Sequence, residues 1–407
     1  MKSTFSILLD REYKKYAAAS ILTSVGTGMQ FVAISWFLYK LSGSSSSIGW
    51  MLIVATLPGI LFSPWIGTLV DRWDARLICI GSDIVRGVVL LFLVTCMYLG
   101  KSSATIIYGC AFLIAICDNF FQPAVGSLVR NIVVRERLLS ANIIGNMSMQ
   151  IGIMTGASIG GLLVARYGAL LVVCINMVSF FVSAVLIYWI NTKYQKNTSS
   201  GKGPKIGFFA EFKATRNYIA THSNIIWLAM LQMFVYLTLY ICNTLLPAFV
   251  DKELAGGAAG FGMIDAAWGV GAMLGGFALT YVARRIDRRL FGLAGLLLMS
   301  AAIFIFLTAR AVPQAVCAYL MLGFLTCMIR VNTDTILVTE VDPQYFGKVK
   351  ATITMFISYI GLGVYGSVGY IGDHISIRSI YLALGLAIFF GFFVAVLPRV
   401  GLRRPQS

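Results

Sequence analysis

The chain has 407 residues, 58% of them hydrophobic and 12% charged, with 32 Lys and Arg against 16 Asp and Glu for a formal net charge of +16. So apolar a composition excludes a water-soluble domain of useful size and points to a polytopic membrane protein. The basic excess is dispersed over short loops between apolar runs rather than gathered in a solvated patch, which argues against a nucleic-acid partner.

Apolar windows fall near 16–38, 47–70, 77–99, 104–127, 138–163, 168–190, 223–249, 259–283, 289–309, 313–337, 347–371 and 377–398. They predict twelve membrane-spanning helices, because lipid leaves backbone polar groups no other partner. The first window is too long for a cleavable signal peptide and lacks a small-residue cleavage site, so it is expected to stay as span 1. Six bases, Lys40, Lys101, Arg166, Lys252, Arg310 and Arg378, fall on one side, and Arg86 and Arg330 lie inside spans. Every other Lys and Arg falls on the opposite side, which the positive-inside rule makes cytoplasmic, with both termini and the middle loop. The expected location is the cytoplasmic (inner) membrane, where these bases also attract anionic lipid.

In chain order, span 1 carries Gln30, a candidate cavity residue. Between spans 2 and 3 lies Gly67-Thr68-Leu69-Val70-Asp71-Arg72-Trp73-Asp74-Ala75-Arg76, a charged turn in a chain poor in charge. Span 3 holds Asp83 and Arg86, three apart and so on one helical face, where a structural pair would offset their cost. Span 4 holds Asp118 and Gln122 on one face, with no basic residue on that helix within a turn of Asp118. Asp118 is therefore the first candidate for a proton carrier, since burial raises the proton affinity of a carboxylate, with a hydrogen-bonded cavity acid as the alternative; Asp265, on span 8, is the second. Span 5 contains Gly152-Ile153-Met154-Thr155-Gly156-Ala157-Ser158-Ile159-Gly160-Gly161, small residues that let helices approach closely.

Residues 191–222 read as a basic linker, in which Phe208, Phe212 and Ile219 against Lys213 and Arg216 suggest an amphipathic helix on the inner leaflet, with a plain solvated helix as the alternative. It divides the chain into halves at 1–190 and 223–407. On span 7, Gln232, Tyr236, Tyr240 and Asn243 are candidate substrate residues, the last three sharing a face, although helix-to-helix hydrogen bonding would also account for them. On span 10, Arg330 and Asp334 are four apart: pairing alone explains them, and so does an anionic substrate held by the base. The halves repeat weakly, Val134–Asn142 after span 4 answering Val341–Val349 after span 10, and Gly276 with Arg284–Arg289 answering Gly67 and its turn without the acid.

The Gly67–Arg76 turn resembles the signature between the second and third spans of major facilitator superfamily transporters. The glycine run of span 5 is similar to that superfamily's antiporter motif, although its proline is Ala157 here. Asp118-Asn119-Phe120-Phe121-Gln122-Pro123-Ala124 with the Arg135–Asn142 turn resembles the branch of macrolide efflux pumps and the enterobactin exporter. The resemblance implies an all-α fold of two pseudo-symmetric six-helix halves. It also implies a cytoplasmic gate in which Gly67, Asp71, Arg72 and Arg76 bond neighbouring helix ends, Asp71 facing the start of span 11 near Gly347, and Arg72 and Arg76 pairing with acids or carbonyls. Gly152, Gly156, Gly160 and Gly161 carry the antiporter-like motif, with plain helix packing as the alternative.

The function expected is export of a small organic molecule, a drug, an antibiotic or a siderophore-like metabolite, by alternating access, driven by proton antiport in a monomer. An importer of the same fold, a channel and an intramembrane enzyme are the alternatives. Gly156-Ala157-Ser158-Ile159-Gly160 matches a nucleophile pattern that needs a strand-to-helix elbow and a histidine, whereas His222 and His374 lie at or beyond the span ends. The eight cysteines lack paired spacing and read as packing residues, and there is no phosphate-binding loop, so no metal and no cofactor are expected.

Overall fold

A computed structural model of the chain describes residues 7, 10–191, 215, 218–282 and 288–400. Its long helices are α1 (Arg11–Ser42), α2 (Ser45–Arg72), α3 (Ala75–Tyr98), α4 (Ala104–Ile132), α5 (Leu138–Tyr167) and α6 (Ala169–Tyr188). After the linker come α7 (Ser223–Lys252), α8 (Gly257–Val282), α9 (Arg288–Leu307), α10 (Val312–Glu340), α11 (Pro343–His374) and α12 (Ile377–Val400). Each matches one of the apolar windows to within a few residues at either end. Among the described residues eleven are long and apolar enough to cross a membrane, and α12 contributes the shorter apolar stretch Ile377–Phe393.

Short polar segments between the windows set the helix ends. The side chains of Asp10, Ser44, Asp74 and Ser103 cap α1, α2, α3 and α4 by accepting from backbone N–H groups in the first turn. Gly43 ends α1 in the left-handed conformation, at φ 68°. Prolines open α10 and α11, where the missing N–H costs nothing.

The chain forms two compact units, Met1–Ser199 with Gly256–Ala266, and Ser200–Ala255 with Ala267–Ser407. Within the first, α1 packs on α5 and α6, α3 on α4 and α6, and α2 on α4. Within the second, α7 packs on α11 and α12, and α9 on α10 and α12; Gly271 and Gly275 of α8 lie against the α10 backbone at Leu320 and Phe324. The two units thus use one packing scheme, the structural form of the weak internal repeat. Gly161 and Gly262 bring α5 and the first turns of α8 into backbone contact, a Cβ on Gly161 meeting Gly262 Cα at 2.8 Å, which explains why those turns join the first unit. The possible amphipathic helix of the linker lies almost wholly outside the described residues; Tyr218, at its end, stacks on Tyr345 at 4.5 Å and donates to Asp342 at 3.2 Å.

Candidate functional site

The densest cluster of charge inside a unit is built on α3, α4 and α6. Asp83 and Arg86, one turn apart on α3, are paired at 2.5 Å. Arg86 also reaches across to α4, where its Nη1 donates to Asp118 at 2.7 Å. The second oxygen of Asp83 accepts from Ser183 of α6 at 2.6 Å. The guanidinium is flanked by the rings of Phe121 and Phe180, 4.3 and 4.5 Å away, an arrangement that suits a weakly hydrated, delocalised cation. The Asp83 and Arg86 side chains are 0% and 5% exposed, whereas that of Asp118 is 47% exposed.

This corrects the expectation for Asp118 as an acid without a nearby base. That holds along α4 only, because Arg86 arrives from α3, and spacing within one helix carries no information about its neighbour. Ser183 was missed, although Asn176, Ser179 and Ser183 form a polar stripe at helical spacing on an otherwise apolar α6. Gln122, one turn beyond Asp118, is exposed. Asp265 is half-buried and, among the described residues, makes no hydrogen bond or ion pair.

Gln30 accepts from Asn176 of α6 and so ties α1 to α6. The glycine run of α5 lies on α1: a Cβ on Gly152 would stand 2.6 Å from Ser24 Cβ, and one on Gly160 2.7 Å from Met29 Cα, while Gly156 abuts the carbonyl of Val25. In the charged turn, the side chains of Asp71 and Arg72 and the surroundings of Gly67 lie outside what is described, as does the Arg284–Asp287 part of the second turn. Asp74 is the N-cap of α3, accepting from the Arg76 N–H at 2.8 Å. Arg76 donates to the Tyr188 carbonyl and lies over the Tyr188 ring, and Lys15 donates to the Trp189 carbonyl at 2.5 Å. Two cations therefore cover the carbonyl end of α6, where the helix dipole is negative.

In the second unit, Asp334 accepts from Gln232 of α7 at 2.9 Å and pairs with Lys350 of α11 at 3.4 Å. Of the two alternatives left open for Arg330 and Asp334, a pair between them is not the arrangement found. Arg330 lies one turn earlier on α10, half-buried, and no carboxylate among the described residues is within ion-pair distance of it. Tyr236 and Tyr240 sit between α7 and α11, the Tyr240 ring lying on Gly361 and meeting the edge of Tyr365 at 4.9 Å. Asn243 lies beside the Tyr365 hydroxyl. These three are engaged in joining helices, and Lys350 and Tyr365 complete sets that the α7 pattern alone did not contain.

A family model described as a transmembrane secretion effector matches residues 2–403. The chain belongs to this family of the major facilitator superfamily. Members similar to it include an uncharacterized transporter of the superfamily, YfmI of Bacillus subtilis, 19% identical over 93% of this chain and 94% of that one. The putative bacilysin exporter BacE of Bacillus subtilis is 25% identical over 76% of each chain. Macrolide efflux protein A of Streptococcus pyogenes is 23% identical over 82% of this chain and 81% of its own. The fold is shared with the nucleoside transporter NupG, at a TM-score of 0.76 and 12% identity over 95% of this chain and 98% of that one. It is also shared with a bacterial homologue of the human lysosomal transporter Spinster, at 0.70 and 16% over 98% and 100%. The family is one of multi-pass membrane transporters, not enzymes.

Proposed function

We propose that this member of the family is a proton-driven exporter of a small organic molecule in the cytoplasmic membrane, monomeric and with both termini in the cytoplasm. The observation that carries the coupling is the Asp83–Arg86–Asp118 cluster, which has one carboxylate more than it has cations and exposes that of Asp118 to water-sized groups. Export as the direction is supported by the efflux-type relatives, and a carrier cycle needs a group that gains a proton on one side and loses it on the other. Asp118 is that group in our reading, with Asp265, which has no partner among the described residues, second. At about 2.3 kcal/mol per charge per 100 mV and about 1.4 kcal/mol per tenfold gradient, one proton sustains a gradient of roughly fifty-fold without nucleotide.

For the cargo, Arg330 supplies a cation within a span and without a carboxylate partner among the described residues, which suits an organic anion, the siderophore-like class, better than a cationic drug. The turn at Gly67, Asp71, Arg72 and Arg76 serves as one side's gate, and the glycines of α5 as the packing seam of the first unit.

Everted membrane vesicles test the coupling. With the lumen acidified, wild-type vesicles should accumulate a radiolabelled macrolide or an organic-acid probe and dissipate the pH gradient as they do so. Asp118→Asn should abolish both, and Asp265→Asn should leave the coupling in place. Uptake indifferent to the gradient, or wild-type coupling in Asp118→Asn, overturns the reading; net movement out of the vesicles marks an importer.

A further inference from the structure

The two carboxylates that share Arg86 are not equivalent. Asp83 is sealed in, with Arg86 Nη2 on one oxygen and Ser183 Oγ on the other. Asp118 takes only Arg86 Nη1 among the described residues, and its side chain is 47% exposed. Arg86 is itself fixed, by two ring faces and by a bond from its Nε to the Ser82 carbonyl at 3.4 Å. Two carboxylates and one guanidinium give the cluster a single net negative charge in a region where an uncompensated charge is costly.

We propose that Asp83 is a positioning residue for proton coupling: held by Ser183, it keeps Arg86 as its own counter-ion and leaves Asp118 as the carboxylate whose charge is in excess, which one proton cancels. The inference rests on Asp118 being the proton-carrying acid. In the step, a proton from water adds to a carboxylate oxygen of Asp118; Arg86 keeps all its protons and its bond to Asp83, and the cluster passes from one negative charge to none. Loss of the proton to water reverses the step and restores the charge-assisted bond between α3 and α4. The coupling is thus a one-proton, charge-neutralising device, and its set point belongs to a residue that never meets water.

The groups that face the cluster are few. The thiol of Cys79 lies one turn before Asp83 on α3, that of Cys117 precedes Asp118 on α4, and α6 contributes Ser183 and Phe180. Cys79→Ala and Cys117→Ala serve as controls that leave the titration where it is.

The test uses the purified full chain in lipid nanodiscs, without substrate, and reads the protonated-carboxyl C=O stretch by infrared difference spectroscopy across a pH series. Wild type should show a band that Asp118→Asn removes. Asp83→Asn leaves Asp118 alone with Arg86, a one-to-one pair that favours the ionised acid. The midpoint should therefore fall by about one to two pH units, a ten- to hundred-fold weaker grip on the proton. Asp83→Glu should restore the wild-type midpoint. Ser183→Ala, a milder change for which folding is less at risk, removes a donor from the anionic cluster and should move the midpoint the other way, to higher pH. A midpoint unmoved by Asp83→Asn, or by Ser183→Ala where the former does not fold, overturns the role of Asp83. A band that survives Asp118→Asn overturns the coupling reading instead, so the two failures are told apart.

Discussion

At Arg86 one side chain spends its donors on two carboxylates and a backbone carbonyl, in a site closed to solvent apart from the Asp118 end. Removing such a cation strands buried negative charge, and the usual cost is about 3–5 kcal/mol. Arg86→Leu should therefore lower thermal stability in detergent far more than Arg330→Leu, whose cation has no carboxylate partner among the described residues to strand; similar losses in differential scanning fluorimetry would contradict the difference. Arg330 makes the opposite prediction for transport. Arg330→Ala should weaken export of organic acids at least tenfold while leaving a cationic probe nearly unaffected, and equal loss of both would remove the base from recognition. Both arginines are conspicuous in the sequence as charges inside spans. Partners were legible only where they lay on the same helix: Asp83 is three residues from Arg86, whereas Asp118 comes to Arg86, and Lys350 and Gln232 come to Asp334, from other helices, a matter of packing that no single-helix spacing encodes.

Among the helices, the seam between α1 and α5 is set by glycine. At Gly156 any Cβ would enter the α1 backbone at Val25, so Gly156→Leu should force the pair apart at about 1–3 kcal/mol, seen as a lowered unfolding temperature. Gly126→Leu, at a glycine with nothing within 4 Å, is the matched control and should leave stability unchanged or improved. The cap at Asp74 makes a smaller claim: Asp74→Ala removes the acceptor for the Arg76 N–H and should cost about 1 kcal/mol, while Asp74→Asn, which can still accept, should cost less. The helix bounds were readable to within a few residues from hydropathy and from Ser, Asp and Pro between windows, because in lipid the helix is obligatory and only its ends are in question. The glycine run was readable as a packing surface, but not which helix it meets; that depends on α1 offering Gly28 and Ser24 opposite it.

Over the whole molecule, the distribution of bases predicts an orientation that fusion reporters can check. A fluorescent protein fused after Ser407 should light up in cells, and alkaline phosphatase inserted beside Arg310 should be active; the reverse pattern would invert the topology. The fold was legible at this scale because two coarse signals agree, twelve apolar windows and a weak internal repeat, and each unit answers with the same packing scheme. The cargo is less legible, since a family this broad shares its framework across chains that match at only 19–25% identity, and recognition rests on a few side chains such as Arg330.

One consequence of the α3 pair concerns biogenesis. Asp83 and Arg86 leave the ribosome within a single segment, so α3 reaches the membrane with its acid and base already within bonding distance and no net charge at that depth. Each ion alone would cost about 2.5–3.5 kcal/mol at a span centre by insertion scales. Asp118, on the segment that follows, then meets a cation that is already in place, and Ser183, two spans later, closes the Asp83 end last.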